Sequence, residues 1–286
     1  MSFTSCDWGT THLRIRVVRD GICEREMVTA QGASTLRSPL EFQAALVDAM
    51  HQLEAPWPVI ISGMASSGIG WKHLPYAGLP FRIDGRDAIA DEIMPEVFLI
   101  SGVRAMNDVM RGEEMELIGL AEEWTDGIVI LPGTHSKHCV LQGGALVDFR
   151  TFMTGELYAL LGSQSILKDS VAPGWDEGAF VQGIELGSRE PLTASLFRVR
   201  CRKLLCGLNN ESNGSFLSGI LIGAELAALP PDVPVMLAAA GNLALPYGIA
   251  FQSLGLHARG PILNPEFASL LPVRGQMKIQ QRLGIK

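Results

Sequence analysis

The stretch SCDWGTTHLRIRV, Ser5 to Val17, packs an acid, an aromatic, a glycine and two threonines between two apolar runs. Read outward, it is the tip of a hairpin: Phe3 to Cys6 and Leu13 to Val18 are short strands, and RDG (Arg19 to Gly21) turns the chain into a third, Ile22 to Thr29. Such a tip is either an ordinary polar turn or a cradle for phosphate. Glycine lets a backbone approach closely and threonine adds a hydroxyl donor, which is what a phosphate chain needs.

The same order returns later. A helix follows the first three strands, with Ser38 as cap, Pro39 at its first position, and Leu40, Ala44, Val47 and Met50 near one face. Two buried strands, Pro58 to Gly63 and Glu96 to Gly102, precede a helix expected from about Asp108 to Trp124, with Leu117, Ala121 and Trp124 on one stripe. Then Gly127 to Gly133, Lys137 to Gln142 and Ala145 to Phe152 read as strands, the GG at Gly143 and Gly144 as a turn, and Thr154 as the cap of another helix. Further helices are expected at about Asp176 to Gly187, Leu192 to Cys206 and Ser215 to Leu229, and Val233 to Asn242 runs from a strand through a glycine into a last helix. Two halves sharing strand, polar tip, strand, turn, strand and helix predict an α/β protein of two related lobes with a cleft between them, residues 1–125 and 126–286.

A chain of 286 residues, 47% hydrophobic, can fill two cores. Its net charge of -7, with no basic cluster, argues against a nucleic-acid or anionic-membrane partner. Five scattered cysteines without a CxxC pair read as small buried residues of a reducing compartment. No segment resembles a signal peptide or a membrane span, so a cytoplasmic location is expected.

The second tip strengthens the phosphate reading of the first. Gly9, Thr10 and Thr11 stand in one, Gly133, Thr134 and Ser136 in the other, and Lys137 could neutralise phosphate charge. Asp7 could hold Mg²⁺ through oxygen ligation, directly or through water. GMASSGIG (Gly63 to Gly70) has P-loop glycine spacing, but Ile69 and Gly70 occupy the Lys and Ser/Thr positions. No GxGxxG links a strand to a helix, and His135 with His138 lacks an obvious third ligand for zinc. In DVMRGEEMELIGL, Glu113 and Glu114 beside Arg111 are candidates for the carboxylate that orients an alcohol and accepts its proton. Acids in a first helical turn are also favoured simply by the helix dipole.

DWGTT, GTHSK and VMLAAAGN resemble the two phosphate motifs and the adenosine motif of the sugar kinase, Hsp70 and actin superfamily. More closely, DWGTTHLR, GMASSGIGW, DVMRGEE, LPGTHSK, FRTFMTGELYALL and LSGILIGAEL, in this order, resemble the 2-dehydro-3-deoxygalactonokinase family. The resemblance implies two ribonuclease H-like lobes of the actin-like ATPase fold. It also implies ATP- and Mg²⁺-dependent phosphorylation of 2-dehydro-3-deoxy-D-galactonate on its terminal hydroxyl, giving the 6-phosphate. Carried over, Asp7 handles Mg²⁺ and Gly9, Thr10 and Thr11 approach the phosphates. Gly133, Thr134 and Ser136 face the other side of the phosphate chain, and Ala240, Gly241 and Asn242 border the adenosine. The related glycerol kinase group carries its base in a GD pair, where this chain has Gly112 and Glu113; Asp108 is the alternative base. For the sugar acid, Ser66, Ser67 and Trp71 offer a loop and Arg111 a cation for the carboxylate, although the serines also read as plain loop residues.

Other readings are a kinase for another sugar or sugar acid, an ATP-responsive binding protein of this fold, and a binding module without nucleotide. The expected partner is a small sugar acid, with a homodimer left open. Trp8 either packs under the tip or touches substrate.

Overall fold

The computed structural model describes residues 2–285. The chain divides into two compact units, Met1–Asp126 with Val140–Phe149 and Ser269–Lys286, and Gly127–Cys139 with Arg150–Ala268. Neither unit is one continuous stretch of sequence.

The first unit is built on a six-stranded sheet. Its strands are β1 (Ser2–Trp8), β2 (Leu13–Arg19), β3 (Ile22–Thr29), β4 (Val59–Gly63), β5 (Ala90–Met94) and β6 (Val97–Ile100), in the order β3-β2-β1-β4-β6-β5. The β1–β2–β3 meander is antiparallel, and β4 runs parallel to both β1 and β6. Every residue of β4 is buried, as an apolar run between two parallel partners should be. The RDG turn works as expected, because Asp20 and Gly21 both have positive φ (48° and 80°), the twist that suits a two-residue hairpin. Gly143 and Gly144 repeat the device with φ of 54° and 71°.

Helix α1 (Pro39–Leu53) starts where the sequence signals it: the Ser38 Oγ accepts a hydrogen bond from the Glu41 N–H. Its buried face, however, is Phe42, Ala45, Leu46, Ala49 and Met50. Leu40 and Val47, expected on that face, are exposed, because the large Phe42 goes inward and sets the rotation of the helix. Phe42 packs with Trp8 and Trp71 in one aromatic cluster, ring centroids 5.1 to 6.2 Å apart, on the face of the sheet that α1 covers.

The expected helix from Asp108 to Trp124 is shorter in the structure. Val109–Met110 pairs with Val103–Arg104 as a small antiparallel ribbon, and Gly112 has a φ of 115° that no helix interior contains. Helix α2 is therefore Glu113–Gly119, and of the expected stripe only Leu117 belongs to it. It packs on the Leu271–Leu283 helix through glycines. A Cβ at Gly119 would lie 2.2 Å from the Leu271 carbonyl oxygen, and one at Gly275 would lie 2.0 Å from that of Met115.

The second unit has strands β7 (Gly127–Leu131), the start of β8 (Ser136–Gln142), the end of β9 (Ala145–Phe152) and β10 (Val235–Leu237), with β7 and β10 parallel. Its helices are α3 (Thr154–Gln164), α4 (Glu177–Arg189), α5 (Leu192–Cys206), α6 (Asn210–Leu226) and α7 (Ala244–Ser253). Thr154 does not cap α3 through its side chain; its hydroxyl donates elsewhere, to Glu225. Helix α6 begins earlier than expected, because the Asn209 side chain caps it by accepting the Ser212 N–H. Helices α4 and α6 cross with backbones almost in contact: a Cβ at Gly187 would meet the Ile220 carbonyl at 2.1 Å, and one at Gly219 that of Phe180 at 2.1 Å. Among the described residues no helix is long and apolar enough to cross a membrane.

Candidate active site

In the first unit the chemistry gathers at the open ends of β1 and β4. Asp7 is the penultimate residue of β1, in register with Arg14 of β2 and Ser62 of β4. The tip beyond it is braced. The Gly9 N–H donates to the His12 carbonyl at 2.9 Å, and the Ala33 and Ser34 N–H groups donate to the carbonyls of Gly9 and Thr10. Gly32 is required beneath, since a Cβ there would lie 2.2 Å from the backbone of Thr11. Thr10 and Thr11 are left exposed. Trp8 points the other way, wholly buried, and its Nε1 donates to the Gln31 carbonyl at 2.9 Å; packing is its role.

Burial raises the Asp7 carboxyl above the usual carboxylate range, Arg16 and Arg14 pull it down, and Glu113 adds a further upward push. The balance of these influences leaves the carboxyl raised.

Glu113 reaches this neighbourhood because backbone meets backbone. A Cβ at Gly63 would fall 2.6 Å from the Trp8 carbonyl oxygen, and one at Gly112 would fall 3.6 Å from the Gly63 Cα. The two acids that follow fold back on the chain: Glu113 Oε2 accepts the Arg111 N–H at 2.9 Å, and Glu114 Oε2 accepts the Gly112 N–H at 2.7 Å. Glu113 is half-buried, whereas Glu114 is wholly buried, and burial together with the Glu113 charge pushes its pKa up to about 8. A carboxyl raised on folding stabilises fully below its ordinary value of 4.5 and loses that contribution as pH rises through about 8. Thermal melts across that window are therefore expected to show a falling midpoint that Glu114→Gln flattens. An equally steep fall in the variant would remove Glu114 as the cause.

The residues expected to meet a sugar acid are partly occupied with one another. Ser66 is buried; its Oγ donates to the Gly63 carbonyl and accepts from Arg111 Nη1, which also donates to the Ser66 carbonyl at 2.6 Å. The Ser67 Oγ donates to the Met64 carbonyl at 2.7 Å, and Trp71 belongs to the aromatic cluster. Arg111 lies over the Tyr76 ring at 4.2 Å and keeps Nη2 without a hydrogen-bond partner. Asp108 sits in the turn of the 103–110 ribbon and accepts the Val109 N–H.

In the second unit, Gly133 and Thr134 follow β7 and rest against the first turn of α3. The Glu156 N–H donates to the Thr134 carbonyl at 3.1 Å, and a Cβ at Gly155 would come within 2.8 Å of the Gly133 carbonyl oxygen. Next to them a cavity of about 400 Å³ opens, with Gly133 and Thr154 on one side and Asn242 and Leu243 on another. Its size falls within the range of small-molecule pockets. Ala240 ends the segment after β10, and Gly241, with φ of 57°, starts the short turn that leads into α7. Ser136 and Lys137 differ from expectation in where their side chains go. The Ser136 hydroxyl is wholly buried and donates to Glu225 at 2.6 Å, and Lys137 Nζ donates to the His135 carbonyl at 2.8 Å. Sequence order alone could not show that the residue after the turn faces inward.

The 2-keto-3-deoxy-galactonokinase family model matches residues 7–264. This chain belongs to that family. It is similar to the 2-dehydro-3-deoxygalactonokinase of Escherichia coli K12, 32% identical over 265 residues that cover 88% of this chain and 90% of the relative. A crystal structure of a candidate 2-dehydro-3-deoxygalactonokinase from Sinorhizobium meliloti superposes with a TM-score of 0.85 and 30% identity, covering 98% of this chain and 96% of that one. The ADPNP-bound activator of 2-hydroxyisocaproyl-CoA dehydratase from Clostridium difficile, at 13% identity, covers 100% of this chain and 98% of that one, with a TM-score of 0.53. At that identity the likeness shows the fold, the α/β architecture of actin-like ATPases and sugar kinases.

Several residues that line the cavity carry no signal in the sequence. Tyr158, Trp175, Ser218 and Leu221 line the cavity from three separate segments, so no local motif announces them. Glu225 had a signal: a lone acid in the apolar run SGILIGAEL has to find donors or stay in water.

Proposed function

We propose that this chain transfers the γ-phosphoryl group of ATP to the terminal hydroxyl of 2-dehydro-3-deoxy-D-galactonate, giving the 6-phosphate. Family membership across residues 7–264 carries this reading. The residues present fit the two groups such a reaction needs. Asp7, at the end of β1 in register with Ser62 of β4, offers the hard oxygen donor that Mg²⁺ takes. Mg²⁺ is commonly bound by one or two carboxylates together with substrate phosphates and water. When bound, the ion neutralises charge on the phosphates as it develops.

Gly9, Thr10 and Thr11 contribute the exposed tip of one phosphate motif. Gly133 and Thr134 contribute the other, with Lys137 behind it and Ser136 acting through its backbone. Ala240, Gly241 and Asn242 border the adenosine, in the cavity that Asn242 lines. Glu113 is the base: it orients the sugar hydroxyl and accepts its proton as the new O–P bond forms and the bond from γ-phosphorus to the ADP oxygen breaks. Asp108 is the alternative. Arg111, with one guanidinium nitrogen unpartnered, pairs with the sugar-acid carboxylate. Ser66 supports Arg111, while Ser67 and Trp71 shape the loop.

A coupled assay for ADP release, run with ATP, Mg²⁺ and the galacto and gluco epimers in turn, tests the assignment. Turnover of the galacto compound is expected, together with a rise in melting midpoint on adding ATP and Mg²⁺. A protein that turns over neither epimer but phosphorylates another sugar acid is a sister kinase. One that ATP does not protect has no nucleotide site.

A further inference from the structure

Glu225 lies near the end of α6, wholly inside the second unit and 3% exposed. Both carboxylate oxygens are engaged. Oε1 accepts from the Ser136 hydroxyl at 2.6 Å and faces His138 Nε2 at 3.2 Å; Oε2 accepts from the hydroxyls of Thr154 and of Tyr247, the latter at 2.7 Å. All four partners are buried. None of the four is a lysine or an arginine: three hydroxyls donate to the carboxylate and the His138 ring makes the fourth contact. Burial and the Glu225 charge raise the Tyr247 pKa, which keeps that phenol protonated and donating.

The three hydroxyl partners start or stand on elements around the cavity. Ser136 opens β8 directly after the Gly133–Thr134 turn, and Thr154 opens α3, whose first turn meets that same turn. Tyr247 stands on α7, just after Asn242 and Leu243, and Thr154 and Tyr247 both line the cavity. Glu225 itself is rooted in the helix that α4 locks by glycine contacts at Gly219 and Gly223.

We propose that Glu225 is a positioning residue for the nucleotide: its carboxylate ties the 133–134 turn, the start of α3 and α7 into one geometry without touching the nucleotide. This rests on the ATP-dependent reading above. It assigns the inward-facing Ser136 hydroxyl a task that the phosphate motif alone does not explain.

Glu225→Gln keeps the shape but replaces one acceptor oxygen with an amide N–H₂, so the hydroxyls that face it lose the acceptor they donate to. Isothermal titration with Mg²⁺ and the non-hydrolysable adenylyl imidodiphosphate, together with steady-state kinetics, reads the result. The expected outcome is weaker analogue binding and a KM for ATP raised by about 10–100-fold, by analogy with residues that orient metal ligands. The KM for the sugar acid should stay within about twofold. Simple loss of folded enzyme would lower apparent kcat and leave the KM for ATP in place. Ser136→Ala and Tyr247→Phe, each removing one donor, should shift the KM for ATP in the same direction by less, and they decide the matter if Glu225→Gln does not fold. Folded variants with unchanged ATP parameters overturn the proposal. A wild-type protein that binds no analogue overturns the kinase reading and this inference with it.

Discussion

A Glu113→Gln enzyme is expected to lose about 10²-fold or more in kcat while its affinity for ATP holds, because general-base groups contribute on that scale. The substitution is suited to the question. The new amide would keep an oxygen able to accept the Arg111 N–H, so the bend that starts α2 survives. It would remove one negative charge beside Asp7, where the two carboxylates already oppose each other. What it cannot do is take a proton from an alcohol. Rapid-quench measurement of the chemical step, paired with calorimetry of ATP binding, separates the two effects. An unchanged rate would end the assignment. A large loss in Asp108→Asn with Glu113→Gln near wild type would move the base to the 103–110 ribbon.

Asp7→Asn should cost about 10²–10³-fold in kcat/KM, corresponding to the several kcal/mol that a metal ion supplies to transition-state charge. Its second signature is a shift of half-saturating Mg²⁺ to higher concentration. The stability effect should have the opposite sign to the activity effect. Burial holds the Asp7 carboxyl above its ordinary range, so the folded protein gives up stability by carrying that charge near neutral pH. The neutral amide removes the cost, and the melting midpoint of the variant near pH 7 should equal or exceed that of the wild type. Such trade-offs are usual where a site keeps a group for chemistry rather than for folding. Wild-type Mg²⁺ dependence in the variant would remove Asp7 from the metal site.

Much of the backbone was legible because its signals are local. A tight turn needs Asp20 and Gly21 at positive φ, and a helix start needs Ser38 with Pro39 after it; both can be read over four residues. The face of α1 was harder: two overlapping apolar stripes run along it, and Phe42 chose between them by joining Trp8 and Trp71, residues far away in sequence. The length of α2 depended on Gly112, whose φ of 115° serves the close approach to Gly63. In the site, strand tips and the acid pair stood out by residue type. The Glu225 hub did not, since its four partners come from residues 136 to 247 and only folding brings them together.

The discontinuity of the first unit bears on how this protein is made. Cys6 waits for Gln276, 270 positions further on, to donate to its carbonyl, and Gln276 also donates to Ser62. At roughly 5–20 residues per second on the ribosome, that wait is on the order of tens of seconds. The more apolar side of the sheet, with Cys6, Trp8 and Ile61, finds its cover early, from α1 in the same opening stretch of chain. What waits for the Leu271–Leu283 helix is the other side, where Ser5, Asp7, Arg16 and Ser62 alternate with Phe3 and Ile60. A nascent sheet whose waiting face is broken up by polar and charged groups is a poor template for aggregation, so the late arrival of its last helix is tolerable during synthesis.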